Sequence, residues 1–135
     1  MTKGPSAKGF LSRLSFKEIL EALSGRPNGC ESEDIESDNL QVRLGSHERP
    51  VIIDVCEPFE YQKEHIRGAI NIPMGFLEIT MENNPFGVKK DDEIIVYCAH
   101  GIRSKQAARI LKNMGYCNVK SLAGGISVYN SKSHY

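Results

Sequence analysis

The stretch EIIVYCAHGIRSKQAARILKNMG, residues 93–115, decides the reading of the chain. Ile94 to Tyr97 are apolar throughout and mostly β-branched, as a strand buried on both faces of a parallel sheet requires. From Ile102 the spacing of Ala107, Ile110, Leu111 and Met114 fits a helix, and Gly115 provides its C-terminal cap. Strand, short loop and helix make the unit of an open α/β sheet, in which ligands gather beyond the carboxyl ends of the strands. Cys98 stands at such an end.

The same alternation extends in both directions. VIID with Val55 reads as another doubly buried strand. Pro58 then opens a helix at its first turn, running through EYQKEH, with Gly68 past its end. AINI is a short strand halted by Pro73, and FLEITMEN supplies one or two helical turns before Pro85 and Gly87. NVKSL is a final strand, followed by a turn at Gly124 and Gly125. Strands alternating with helices imply an α/β fold with a parallel sheet and helices on both faces.

Upstream, charge marks a boundary. Residues 1–29 carry five cations and two acids, whereas residues 30–39 carry five acids and no cation, which reads as a linker. Before it, LSRLSFKEILEAL sets Leu14, Ile19 and Leu23 near one face of an amphipathic helix that ends at Gly25 and Pro27. Residues 1–34 are therefore expected to be an extension bearing a helix and an acidic linker, and residues 35–135 the main domain.

At 135 residues the chain buries enough surface to fold as one domain without disulfides. Seventeen basic and seventeen acidic residues cancel, which argues against a nucleic-acid binder and leaves functional charge to be local. Cys30, Cys56, Cys98 and Cys117 form no CxxC pair and have no zinc-type His spacing, so a metal site is not expected. No apolar run reaches membrane-spanning length. The first 17 residues are basic and acid-free, as in an organelle transit peptide, but Ser and Arg are too sparse for that type. The expectation is a cytoplasmic protein with free thiols.

The loop after Cys98 carries the chemistry. Gly101 can take positive φ, so residues Ala99 to Ser104 can curl and aim backbone N–H groups inward as an anion nest. The helix from Ile102 adds its positive end, and Arg103, Lys105 and a protonated His100 add charge. A free cysteine titrates near ~8.5, and helix N-termini with adjacent cations bring thiols to roughly 3.5–7.5. Cys98 packed as a small hydrophobe is the alternative. It leaves unexplained why two cations occupy a first helical turn, where the macrodipole repels them.

IDVCEPFEYQKEHIRGAINIP (53–73), CAHGIRS (98–104) and LAGGISVY (122–129) together resemble a single rhodanese domain of the thiosulfate sulfurtransferase type. The resemblance spans about Ile35 to Tyr129. It implies a five-stranded parallel sheet flanked by helices, with Cys98 as the sulfur-carrying cysteine. It implies attack on a small anionic donor such as thiosulfate, a persulfide intermediate, and transfer to cyanide, a thiol or an acceptor protein. No cofactor, nucleic acid or membrane is implied. Ala99, His100, Gly101 and Ile102 separate Cys98 from Arg103; related phosphatases and arsenate reductases carry one residue more, so oxyanion chemistry is the weaker alternative. Three positions depart from the family pattern: Cys56 where Arg is common, Glu64 where Gly is common, and Tyr129 where Trp is common.

Within that scheme Cys98 is the nucleophile and Arg103 the residue that orients the donor, unless Arg103 pins the helix to Asp54 or Glu57. The amides of Ala99 to Ser104 cradle sulfur, and His100 and Lys105 line the rim. Asp54 fixes backbone, His65 packs at a helix end, Cys117 is buried, and Cys30 is exposed without a role. Cys56 either fills space or resolves the Cys98 persulfide as an internal disulfide.

Overall fold

The computed structural model describes residues 33–132. Strands β1 (Glu33–Ile35), β2 (Val51–Asp54), β3 (Ile70–Asn71), β4 (Ile94–Tyr97) and β5 (Val119–Leu122) form one sheet in the order β1-β5-β4-β2-β3. Every pairing within it is parallel. Between the strands run α1 (Ser37–Leu44), α2 (Pro58–Lys63), a 3-10 turn at Met74–Phe76 leading into α3 (Leu77–Asn83), and α4 (Ile102–Asn113), with α5 (Gly125–Lys132) last.

The strands that are buried on both faces are the ones whose sequences carry no polar alternation. On one face Ile53, Ile94, Val96 and Val119 pack against Leu77 and Met81 of α3 and against Ala107, Ala108 and Leu111 of α4. On the other, Ile52, Ile95, Tyr97 and Leu122 pack against Leu40 of α1 and Ile126 of α5. Successive residues of β2 and β4 thus feed opposite cores, as the two-residue period of a strand dictates. The expected parallel α/β sheet with helices on both faces is the observed one.

Three boundaries differ from the sequence reading. The acidic stretch expected to be a linker supplies β1 and the start of α1, so the sheet begins at Glu33, before residue 35. Its polarity suits an edge strand of three residues and a helix whose buried side consists of Ser37 and Leu40. The helix opened by Pro58 stops at Lys63, because Glu64 is extended at φ −162°, ψ 142°. The second residue of the double glycine, Gly125, opens α5, where only a turn was expected. The amphipathic helix expected before Gly25 lies outside the described residues, as does Cys30.

Candidate functional site

Cys98 follows β4 directly, and the chain curls through Ala99 and His100 to Gly101, the N-cap of α4, at φ +98°. A side chain at Gly101 is disfavoured by that φ, and its Cβ would lie 3.2 Å from the Gly124 amide nitrogen. The curl brings two N–H groups onto one atom. Cys98 Sγ accepts from the Gly101 amide at 3.1 Å and from the Ser104 amide at 3.4 Å. These are N-cap and N3 donors, of the set that a helix start leaves without intrahelical partners. Glycine has no side chain to cap them, and the cysteine sulfur takes that place, at the positive end of the α4 dipole.

The loop is fixed from its other side by the segment after β5. The amides of Ile126 and Ser127, at the start of α5, donate to the carbonyl oxygens of Cys98 (2.9 Å) and Ala99 (3.1 Å). Ser127 Oγ also lies 3.3 Å from His100 Nδ1. The approach is close enough that a Cβ on Gly125 would sit 2.4 Å from the Ala99 carbonyl oxygen. LAGGISVY therefore acts through its backbone, as a clamp on the cysteine loop.

Cys98 is only 1 % exposed. Burial alone pushes its thiol pKa up. Hydrogen bonds from the Ser104 amide and hydroxyl and from the amides of Gly101 and His100 outweigh burial, so the thiol lies below its ordinary value. The expected cationic contribution is smaller than the sequence suggested, because both cations are engaged elsewhere. Arg103 makes a two-pronged pair with Glu60, Nη1 to Oε1 at 2.8 Å and Nη2 to Oε2 at 3.2 Å. Lys105 Nζ lies 3.6 Å from Asp34 Oδ2. The carboxylate that holds Arg103 is neither Asp54 nor Glu57, the two expected for a structural pin.

Glu60 is held for this purpose by α2. It occupies the N3 position, where its side chain accepts the Glu57 amide at 2.9 Å in a capping box that Pro58 at N1 helps to open. The Arg103 hydrogen bond holds the Glu60 carboxyl below its ordinary 4.5, against the opposing effect of burial and with help from the Glu57 amide. A carboxylate with a depressed folded pKa stabilises the fold above its unfolded pKa, and that stability is lost as pH falls through the folded value. Thermal midpoints measured between pH 6 and pH 3 are therefore expected to fall more steeply for the wild type than for Glu60→Gln. Parallel curves would show that the pair contributes nothing. Both side chains are about one-third exposed, at 35 % and 29 %, so the pair is worth about 1 kcal/mol or less.

A cavity of about 410 Å³ opens beside the loop, and Asp34, His100, Gly101, Ile102 and Lys105 are in its wall. Cys98 is not part of that wall. The cavity borders the curl at His100, Gly101 and Ile102. Of the residues expected at the site, His100, Gly101 and Ser104 turn amides toward Cys98 Sγ, Ala99 meets α5 through its carbonyl, His100, Ile102 and Lys105 line the cavity, and Arg103 braces α4 to α2.

Other sequence expectations resolve individually. Asp54, 1 % exposed, accepts the Cys56 amide at 2.8 Å and so fixes backbone as expected. His65 stacks on Tyr61 with ring centroids 3.8 Å apart, its Nδ1 2.8 Å from the Tyr61 carbonyl oxygen. Cys56 is buried in the same core cluster as Cys98. Burial first, and then Asp54, push its thiol far above the ordinary range. Such a thiol stays protonated, which favours the space-filling role over attack on a persulfide. Cys117 is exposed and disulfide-bonded, where a buried free thiol was expected. It follows the Gly115 turn, where the chain runs at the surface before re-entering the sheet as β5.

Two participants were not anticipated. Glu60 was legible only as the third position after Glu57, the spacing of a capping box. Ser121, 2 % exposed on β5, lies 2.7 Å from Ser104, hydroxyl to hydroxyl. Its sequence signal is faint, a hydroxyl between Lys120 and Leu122 in a four-residue strand. Among the described residues no three His, Cys, Asp or Glu side chains gather as a metal site. No described helix is long and apolar enough to cross a membrane.

Comparison with known proteins places the chain in a family. A sulfurtransferase of Allochromatium vinosum is 36 % identical over 93 residues, covering 69 % of this chain and 83 % of that protein. The thiosulfate sulfurtransferase PspE of Escherichia coli is 45 % identical over 74 residues, covering 55 % and 68 % of the two chains. A putative sulfur carrier protein of Bacillus subtilis, YrkF, is 31 % identical over 130 residues, covering 96 % of this chain and 67 % of that one. Among solved structures, a rhodanese-related protein of Thermoplasma volcanium superposes with a TM-score of 0.66 at 28 % identity, covering 76 % of this chain and 95 % of its own. The Rhodanese-like domain family matches residues 37–132, from the start of α1 to the end of α5. The chain belongs to the Rhodanese-like domain family.

Proposed function

We propose that the protein is a sulfurtransferase that carries a sulfane sulfur on Cys98, with thiosulfate or a similar small anion as donor and cyanide or a thiol as acceptor. The observation that supports this most is the convergence of the Gly101 and Ser104 amides on a thiol of lowered pKa. The Cys98 thiolate attacks the outer sulfur of the donor. The donor's S–S bond breaks and its electron pair leaves with sulfite, while the new S–S bond leaves a persulfide on Cys98. Cyanide then attacks the outer sulfur, thiocyanate departs, and the bond pair returns to Cys98 as thiolate. The reactants supply every electron pair, so the scheme asks for no metal or organic cofactor. The amides of Ala99 to Ser104 stabilise charge on the terminal sulfur, as preorganised donors do wherever charge develops in a reaction. A cytoplasmic setting is part of the same proposal.

Arg103 enters as the group nearest the cup that presents a planar fork to sulfonate-like oxygens. Because Glu60 already occupies that fork, the donor has to share it. Thiocyanate formation from thiosulfate and cyanide tests both assignments. Arg103→Ala is expected to raise the KM for thiosulfate about 10-fold while leaving kcat within a few-fold, the pattern of lost uniform binding. Unchanged donor kinetics would leave Arg103 as a structural brace alone. Absence of thiocyanate from the wild type would remove thiosulfate and cyanide as the substrate pair.

A second reading, a carrier that hands sulfur to another protein, is favoured by one surface feature. Phe59, Phe76 and Ile102 are 64 %, 64 % and 74 % exposed, and they follow β2, β3 and β4 on the edge of the sheet where Cys98 lies. Exposed large apolar side chains grouped at one edge mark interaction surfaces. Persulfide that forms stoichiometrically but is discharged slowly by cyanide would favour this carrier; rapid discharge favours the enzyme.

A further inference from the structure

We infer that Ser121 is a positioning residue for the Cys98 thiolate, acting through Ser104 as the far end of a buried hydroxyl relay. The three groups come from three elements. Cys98 follows β4, Ser104 lies in the first turn of α4, and Ser121 is on β5, where Val96 of β4 is its register partner. Ser104 Oγ stands 3.7 Å from Cys98 Sγ and 2.7 Å from Ser121 Oγ. All three are sealed from solvent, at 1 %, 0 % and 2 % exposure for Cys98, Ser104 and Ser121.

Counting protons shows what such a relay prefers. The triad has two contacts, sulfur to Ser104 and Ser104 to Ser121, and each takes one proton. With Cys98 as thiolate there are two protons. Ser121 donates to Ser104, Ser104 donates to sulfur, and every donor has an acceptor. With Cys98 as thiol there are three. The S–H then donates to Ser104 and Ser104 to Ser121, and the Ser121 proton has no acceptor within the triad. Burying an unsatisfied hydroxyl is costly, so the relay favours ionisation of the cysteine. A hydrogen bond accepted by Ser104 also strengthens the one it donates, because chains of hydrogen bonds polarise one another. The downward pull of the Ser104 hydroxyl on the Cys98 thiol agrees in direction. Without this role Ser121 is a buried polar residue on the same strand face as Val119, two positions before it, where an apolar residue is the simpler filling.

The inference rests on Cys98 being the reactive thiolate, but its test reads ionisation and not sulfur transfer, so the two can fail separately. The rate of iodoacetamide alkylation at Cys98, followed by peptide mass across a pH series, gives the titration midpoint. Ser121→Ala is expected to raise the midpoint by about half to one pH unit. Well below the midpoint, its alkylation rate then falls about 3- to 10-fold. Ser104→Ala should shift the midpoint at least as far, and Ser121→Ala added to it should shift nothing more. Ser121→Thr, which keeps the hydroxyl, should restore the wild-type midpoint, a result that a purely packing role does not give. An unmoved midpoint in Ser121→Ala overturns the relay. So does an equal shift from Ser121→Ala whether or not Ser104 is present. Thermal unfolding of each variant separates a loss of fold, which removes the pH dependence altogether, from a displaced midpoint.

Discussion

Gly125→Ala is expected to destabilise the fold by about 2–5 kcal/mol, from two additive causes. The first is backbone conformation: Gly125 holds φ +68°, where an L side chain costs about 1–2 kcal/mol. The second is steric. The new Cβ would lie 2.4 Å from the Ala99 carbonyl oxygen and 2.5 Å from that of Cys98, and both contacts are backbone that no side-chain rotation relieves. Overpacking of this kind costs about 1–3 kcal/mol more. Relief requires α5 to retreat, and retreat breaks the Ile126 and Ser127 amide bonds that hold the cysteine loop. The variant should therefore lose Cys98 reactivity well below its unfolding temperature. Thermal unfolding followed alongside alkylation at Cys98 checks both halves, and a Tm within a degree or two of wild type would show that the clamp is slack.

Cys98→Ser carries the largest expected effect on activity and very little on stability. A serine oxygen can take the same amides of Gly101 and Ser104, so the loop keeps its cap. Serine, however, titrates far above neutral pH and forms no stable sulfur adduct, and neither the cup nor the relay lowers a hydroxyl into range. Sulfur transfer should fall on the order of 10⁴-fold or more, as when the nucleophile of a covalent mechanism is removed. Residual turnover near wild type in a correctly folded variant would move the chemistry to another residue.

How much of this was legible in the chain varies with the range of the interaction. β2 and β4 could be read directly because burial on both faces leaves nearly continuous apolar runs, whereas β5, VKSL, was legible from its place between the Gly115 cap and the double glycine. β1 could not: Glu33, Asp34 and Ile35 make a three-residue edge strand whose register comes from Lys120, Ser121 and Leu122, residues far along the chain. α5 was hidden by the double glycine, which reads locally as a turn and serves in space as the close approach between two segments. The CAHGIRS loop was legible because its cysteine, glycine and helix start are consecutive. Glu60 and Ser121 were not, since each meets the loop only after the strands are stacked. The cations misled for the same reason. Arg103 and Lys105 lie beside Cys98 in sequence, yet tertiary structure gives each a carboxylate, and the thiol is tuned by hydrogen bonds instead.

The central claim is that the amide cup keeps Cys98 ready to accept and release one sulfur atom. Intact mass after incubation with thiosulfate, and again after cyanide, tests it directly. The expected result is a gain of one sulfur per chain, localised to Cys98, absent in Cys98→Ser and removed by cyanide. No gain, a gain carried by Cys56, or a gain that survives Cys98→Ser would contradict it.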